Sequence, residues 1–142
     1  KSVTTSFSPT TSFNAASGGY VWPTPGYSLI TSQYGENRGS YFHSGIDIGD
    51  GGINGATIVA AQSGVVMRAR WYGGYGNCVI IDHGNGKSTL YGHLSSILAS
   101  EGQTVQQGQM IGKVGTTGDS TGPHLHFETR SGGTRYNPMS EY

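Results

Sequence analysis

Cys78-Val79-Ile80-Ile81-Asp82-His83-Gly84-Asn85-Gly86-Lys87-Ser88-Thr89-Leu90-Tyr91-Gly92-His93 reads as two strand-like runs meeting at Asn85-Gly86. That dipeptide tolerates positive φ at both centres of a tight turn, so the stretch predicts a β-hairpin. Outward from it, similar short runs occupy 57–61, 65–72, 110–114 and 124–129, with the hairpin arms at 78–82 and 88–93. Gly73-Gly74, Gly76-Asn77 and Gly102 mark the corners between them. The one helical candidate is 94–100, barely two turns. The expected fold is all-β, built from antiparallel meanders with little helix, and no fixed-period repeat is present.

The chain has 142 residues, enough for one domain with a real core. Glycine supplies 25 of them, well above the usual share of roughly 7%. Residues 1–19 hold five Ser, four Thr and two Gly without a sustained apolar period, which predicts a linker or tail ahead of a domain at 20–142. Phe7 and Phe13 are its candidate docking residues. The start at Lys1 rather than Met leads us to expect a processed or excised domain of a larger protein. Eight Lys and Arg balance eight Asp and Glu, which disfavours nucleic acid and anionic membrane surfaces as partners. No stretch has the apolar length of a membrane span. Cys78, the only cysteine, excludes an intramolecular disulfide and reads as a small buried hydrophobe.

Four of the five histidines fall in three compact clusters: His43-Ser44-Gly45-Ile46-Asp47, Tyr91-Gly92-His93 and His124-Leu125-His126. On a strand, His124 and His126 project from one face while Leu125 and Phe127 take the other. His43 and Asp47 have the spacing of a helical metal pair, but Gly45, Gly49 and the β-branched Ile46 and Ile48 argue for a loop or short strand. A lone histidine in an apolar strand is more often a hydrogen-bonded core residue, and His83 keeps that reading, as a turn histidine bonding its neighbours. Asp47 alone reads as a turn or cap carboxylate. Several imidazoles grouped with a carboxylate instead point to a metal, and this donor set suits zinc.

These clusters, in this order, resemble the lysostaphin-like family of peptidoglycan zinc metallo-endopeptidases. The resemblance runs from about Trp22 to Pro138. It is carried by Phe42-His43-Ser44-Gly45-Ile46-Asp47, Ala61-Gln62-Ser63-Gly64-Val65-Val66, Gly74-Tyr75-Gly76-Asn77, Leu90-Tyr91-Gly92-His93-Leu94, Val105-Gln106-Gln107-Gly108-Gln109 and Gly118-Asp119-Ser120-Thr121-Gly122-Pro123-His124-Leu125-His126-Phe127. It implies a duplicated hybrid motif fold, with antiparallel sheets forming a β-roll or sandwich around an open groove. It implies one Zn²⁺ on His43, Asp47 and His126, with His93 and His124 as catalytic histidines sharing acid and base work.

The implied substrate is the peptide part of the bacterial cell wall, met outside the cytoplasm in the wall or periplasm, or by a phage tail or sporulation device. Family enzymes specialised for polyglycine bridges tend to carry a Trp-Tyr-Met-His stretch where this chain has Thr89-Leu90-Tyr91-Gly92-His93, so stem-peptide cross-links are expected. The family also includes non-catalytic modules that act on other wall enzymes, the alternative reading. Tyr34, Arg38 and Tyr41 precede the first ligand and are candidates for oxyanion or substrate contact, against the commoner role of surface packing. Glu128 shares the strand parity of His126, either to orient it or to face solvent. Trp71-Tyr72-Gly73-Gly74-Tyr75 either lines the groove or packs at its rim.

Overall fold

The computed structural model describes residues 19–142. The expected tail, with Phe7 and Phe13, lies outside the described residues except for Gly19. Ten strands follow: β1 (Ile30–Ser32), β2 (Ile46–Ile48), β3 (Thr57–Val59), β4 (Gly64–Trp71), β5 (Asn77–Gly84), β6 (Lys87–Ile97), β7 (Thr104–Val105), β8 (Met110–Val114), β9 (Leu125–Ser131) and β10 (Thr134–Tyr136). Two 3₁₀ turns, Gly73–Tyr75 and Pro138–Glu141, are the only helical pieces among the described residues, and none could cross a membrane. The strands pair in the order β1-β2-β9-β6-β5-β4-β7, with β10 on β9 and with β8 joining β6 to β3. Every pairing is antiparallel and the sheet stays open, as expected.

The predicted hairpin is β5–β6. Asn85 and Gly86 take φ of 55° and 78°, the two positive values a tight hairpin turn needs.

β6 is the strand that shapes the site. On the edge opposite β5 it pairs with β9 from Lys87↔Ser131 to Gly92↔His126. From Leu94↔Val114 to Ile97↔Gly112 that edge belongs to β8. His93 sits in the fork, with φ of 67°, and the Gly115↔His124 bridge ties the two branches together beyond it.

The helix expected over 94–100 does not form. β6 runs on through Ile97 because β8 offers its backbone a pairing edge and Leu94 is fully buried there. A seven-residue helix has too few hydrogen bonds of its own to compete.

Strand alternation sends Ile46 and Ile48 of β2, Leu125 and Phe127 of β9, and Tyr91 of β6 into one core, all fully buried. Removing each such side chain from water contributes about 1.5–3 kcal/mol. That burial fixes the register, and the register places Asp47 directly opposite His126.

His83 lies inside β5, fully buried, bridging the Ser63 carbonyl and the Thr89 hydroxyl at 2.8 Å each. It is a core histidine whose partners lie on the facing hairpin arm and twenty residues upstream rather than in the turn itself, and burial lowers its pKa. Cys78 is fully buried, and its thiol is pushed up to about 12, by burial first and by the Glu128 charge second.

Gly45 permits the approach of β2 to β9. A Cβ there would stand 2.3 Å from the Phe127 carbonyl oxygen and 2.9 Å from the Glu128 Cγ. Gly45→Ala is therefore expected to destabilise the fold by about 3 kcal/mol or more, read as a lower denaturant midpoint. Gly51→Ala, whose Cβ would meet nothing within 4 Å, should shift stability by about 0.5 kcal/mol or less. Equal losses in the two variants would contradict the close approach.

Candidate metal centre

Asp47 is the middle residue of β2, flanked by Ile46 and Ile48 in the core, so it takes the opposite face. His126 has the same position in β9 between Leu125 and Phe127. His43 precedes β2 on a loop held by the Gly35 amide to the His43 carbonyl and the His43 amide to the Glu36 carbonyl, both 2.9 Å. Three donor atoms from these segments form a nearly equilateral triangle. His43 Nε2 is 3.2 Å from Asp47 Oδ1 and 3.2 Å from His126 Nδ1, and His126 Nδ1 is 3.0 Å from Asp47 Oδ1. Ligands at tetrahedral zinc distances stand about 3.3 Å apart. The triangle fits such an ion with only small adjustment.

The outer partners of the rings say what the triangle can hold. His43 Nδ1 donates to the Gln33 carbonyl at 3.0 Å, and His126 Nε2 donates to the Glu128 carboxylate at 2.8 Å. Each neutral ring then has its lone pair on the inward nitrogen. Two lone pairs and a carboxylate oxygen converge with no proton of their own to share.

Burial disfavours charge on His126, but the hydrogen bonds and charges of Asp47 and Glu128 outweigh it and raise its pKa. Burial likewise raises the Asp47 carboxyl, but His126 and His43 overcome it and hold the group well below the usual carboxylate range. The pocket demands positive charge, which a proton or a metal cation can supply.

Glu128, open between two roles in the sequence, is fully buried. Its Oε2 takes His126 Nε2, the Ser44 hydroxyl at 2.8 Å and the Tyr75 hydroxyl at 2.6 Å. Its Oε1 takes Arg130 Nη2 at 2.7 Å and Arg135 Nε at 3.1 Å. It orients His126 rather than facing solvent. Arg38 does for Asp47 what Glu128 does for His126, reaching Oδ2 at 3.2 Å.

His93 and His124 stand beside the triangle with ring centroids 4.6 Å apart. His93 Nδ1 donates to the Thr117 carbonyl at 2.7 Å, and His124 Nδ1 donates to the Gly122 carbonyl at 2.8 Å. Nε2 of each is thereby the basic nitrogen. His124 Nε2 stops 3.8 Å from Asp47 Oδ1. Burial, reinforced by the neighbouring histidines, lowers the His93 pKa and keeps that ring neutral. His93 adopts its positive φ at the fork, a conformation uncommon for a residue with a Cβ and typical of functional positions.

All five histidine and aspartate residues line one open cavity of about 780 Å³. Arg38 and Tyr41 share its wall, whereas Tyr34 does not line it. The Tyr34 hydroxyl donates to the Arg135 carbonyl at 3.4 Å, and its ring packs against the core. Tyr75 lines the cavity with its ring 5.5 Å from His126, while Trp71 is not among the lining residues. Sequence reasoning gave no role to Asp119, Ser120 and Thr121, which also line it. Their nearness to His124 in the chain was the available signal.

A family model described as peptidase family M23 matches residues 41–138, more than half of the chain and all five of those residues. The chain belongs to peptidase family M23. This is the lysostaphin-type zinc metallopeptidase family, so the resemblance read from the motifs was to the chain's own family. The chain is 43% identical over 119 residues to the DD-carboxypeptidase/endopeptidase Mpg of Neisseria meningitidis serogroup B, covering 80% of this chain and 27% of that protein. It is 38% identical over 133 residues to the murein hydrolase activator EnvC of Escherichia coli, covering 93% of this chain and 31% of that protein. Among solved structures, a zinc-containing peptidase from Vibrio cholerae superposes with a TM-score of 0.78 at 32% identity, covering 86% of this chain and 40% of that one. The chain spans about a third or less of the length of these two curated relatives.

Proposed function

We propose that residues 20–142 form a zinc-dependent endopeptidase domain that hydrolyses peptide cross-links of bacterial peptidoglycan. The observation that carries this is the triangle of His43 Nε2, Asp47 Oδ1 and His126 Nδ1, 3.0–3.2 Å on each edge, with two further histidines beside it. Zinc held there would polarise the scissile carbonyl and make a water acidic enough to attack at neutral pH.

The chain's own residues handle the protons. With Nδ1–H tied to a backbone carbonyl, Nε2 of His93 or His124 accepts a proton from the attacking water and returns one to the departing amine. The lowered His93 pKa keeps an unprotonated base available near neutrality. Tyr41, more than half exposed on the cavity wall, would meet the substrate carbonyl or backbone, while Arg38 holds Asp47.

Stem-peptide cross-links are the expected bond, acted on in the wall or periplasm by a domain that works as a monomer within a larger protein. Similarity to an activator favours one second reading, a module that binds and regulates other wall enzymes. The assembled donor triangle supports the enzyme.

Digestion of purified peptidoglycans, with mass spectrometry of the fragments, tests the proposal. Release of peptide fragments that stops with a chelator and returns with zinc is expected. Intact peptidoglycan after zinc loading, together with stimulation of a separate wall hydrolase, would favour the second reading.

A further inference from the structure

The cavity wall carries three charged residues besides the histidines: Arg38, Asp47 and Asp119. Arg38 is paired with Asp47, and Asp47 with Arg38 and the histidines. Asp119 is exposed, and its carboxylate makes no ion pair or side-chain hydrogen bond among the described residues.

Its backbone is nevertheless well fixed. The Asp119 amide donates to the Gly74 carbonyl at 2.8 Å. A Cβ on Gly118 would stand 2.4 Å from the Gly76 amide nitrogen, so the two loops touch at backbone contact and Gly118 keeps a φ of 77°. One residue earlier, the Thr117 hydroxyl donates to the Leu94 carbonyl at 2.7 Å, and the Thr117 carbonyl holds His93. The loop that presents the free carboxylate is thus the same one that orients a basic histidine. The backbone that carries the carboxylate is preorganised, so the ordering cost left for a ligand to meet is that of one short side chain.

We propose that Asp119 sets the substrate preference of the groove by binding a free primary ammonium of the peptide against the wall made by Gly74 and Asp119. This rests on the peptidase reading above. An ionised carboxylate only accepts hydrogen bonds, so its partner must donate and carry positive charge. A metal ion is a poor candidate, because a single carboxylate supplies too few ligands. An amine on a substrate peptide supplies both donor and charge. A cation held on the three donor atoms would repel the amine from Asp47, which leaves the unpaired Asp119 to take it.

The test uses two cross-linked peptides of one sequence, one with a free amine flanking the scissile bond and one with that amine acetylated. The zinc-loaded chain is expected to favour the free amine by about five- to tenfold, expressed in KM rather than kcat, the scale of an open charge-assisted hydrogen bond. Asp119→Asn should bring the ratio close to one, and Asp119→Lys should invert it. Equal handling of the two peptides by the unaltered chain, or an undiminished preference in Asp119→Asn, overturns the inference. If neither peptide is cut, the same pair is titrated into the zinc-loaded chain by calorimetry. A binding preference lost in Asp119→Asn then upholds the role of Asp119 and removes only the endopeptidase activity, whereas equal binding removes the inference itself.

Discussion

Replacing His124 by Ala is expected to lower peptidoglycan cleavage by about 10²–10⁴-fold, the usual worth of a positioned acid or base, while zinc content stays near one ion per chain. The separation of effects follows from distance. His124 Nε2 stands 3.8 Å from Asp47 Oδ1, outside the triangle whose edges are 3.0–3.2 Å. Its Nδ1 is tied to the Gly122 carbonyl, so truncation leaves His43, Asp47 and His126 in place. His126→Ala should behave differently, losing zinc and activity together.

Metal analysis on the same samples used for digestion distinguishes the two variants. Full activity in His124→Ala would remove that residue from the chemistry, and loss of zinc from it would make it a ligand. His93 needs a gentler substitution, because its φ of 67° strains any residue with a Cβ. Asn tolerates that region better than Ala, so His93→Asn isolates the imidazole from the backbone.

The order of these histidines could be read from the sequence because strand parity is a local property. His124 and His126 share a face wherever Leu125 and Phe127 are buried, and the hairpin at Asn85-Gly86 needs no distant partner to be recognised. What escaped was set by long-range pairing. Residues 94–97 looked helical until β8 supplied an edge for them, and β1, β7 and β10 are too short to show a period.

The loop before His43 shows the same limit. Tyr34, Arg38 and Tyr41 look alike as candidates in sequence, yet one leaves the cavity, one grips Asp47 and one lines the wall. Asp119 could not be singled out, because a carboxylate matters there only once Arg38 is seen to be already paired.

Glu128 is where long-range convergence has the largest consequence. Its six hydrogen bonds come from Ser44, Tyr75, His126, Arg130 and Arg135, residues spread over most of the domain. Burial alone would raise its pKa, but His126, Tyr75 and Arg130 hold it well below the usual range, so it stays ionised. An ionised acceptor obliges His126 to carry its proton on Nε2 and to turn its Nδ1 lone pair toward His43 and Asp47.

Glu128→Ala is therefore expected to weaken zinc binding by about 10–100-fold and to destabilise the fold by about 2–4 kcal/mol, since the Tyr75 and Ser44 hydroxyls lose a buried acceptor. The partly exposed Arg130 and Arg135 can return to water, which limits the loss. Glu128→Gln separates orientation from charge. It preserves volume and one acceptor oxygen, so it should recover most of the stability while zinc affinity stays reduced, because a neutral amide does not fix the His126 tautomer. Competition titration with a chromophoric chelator, run beside denaturant unfolding, reads both quantities. Zinc affinity that is unchanged in both variants would mean that the backbone of β9 positions His126 and that Glu128 serves only to neutralise the two arginines.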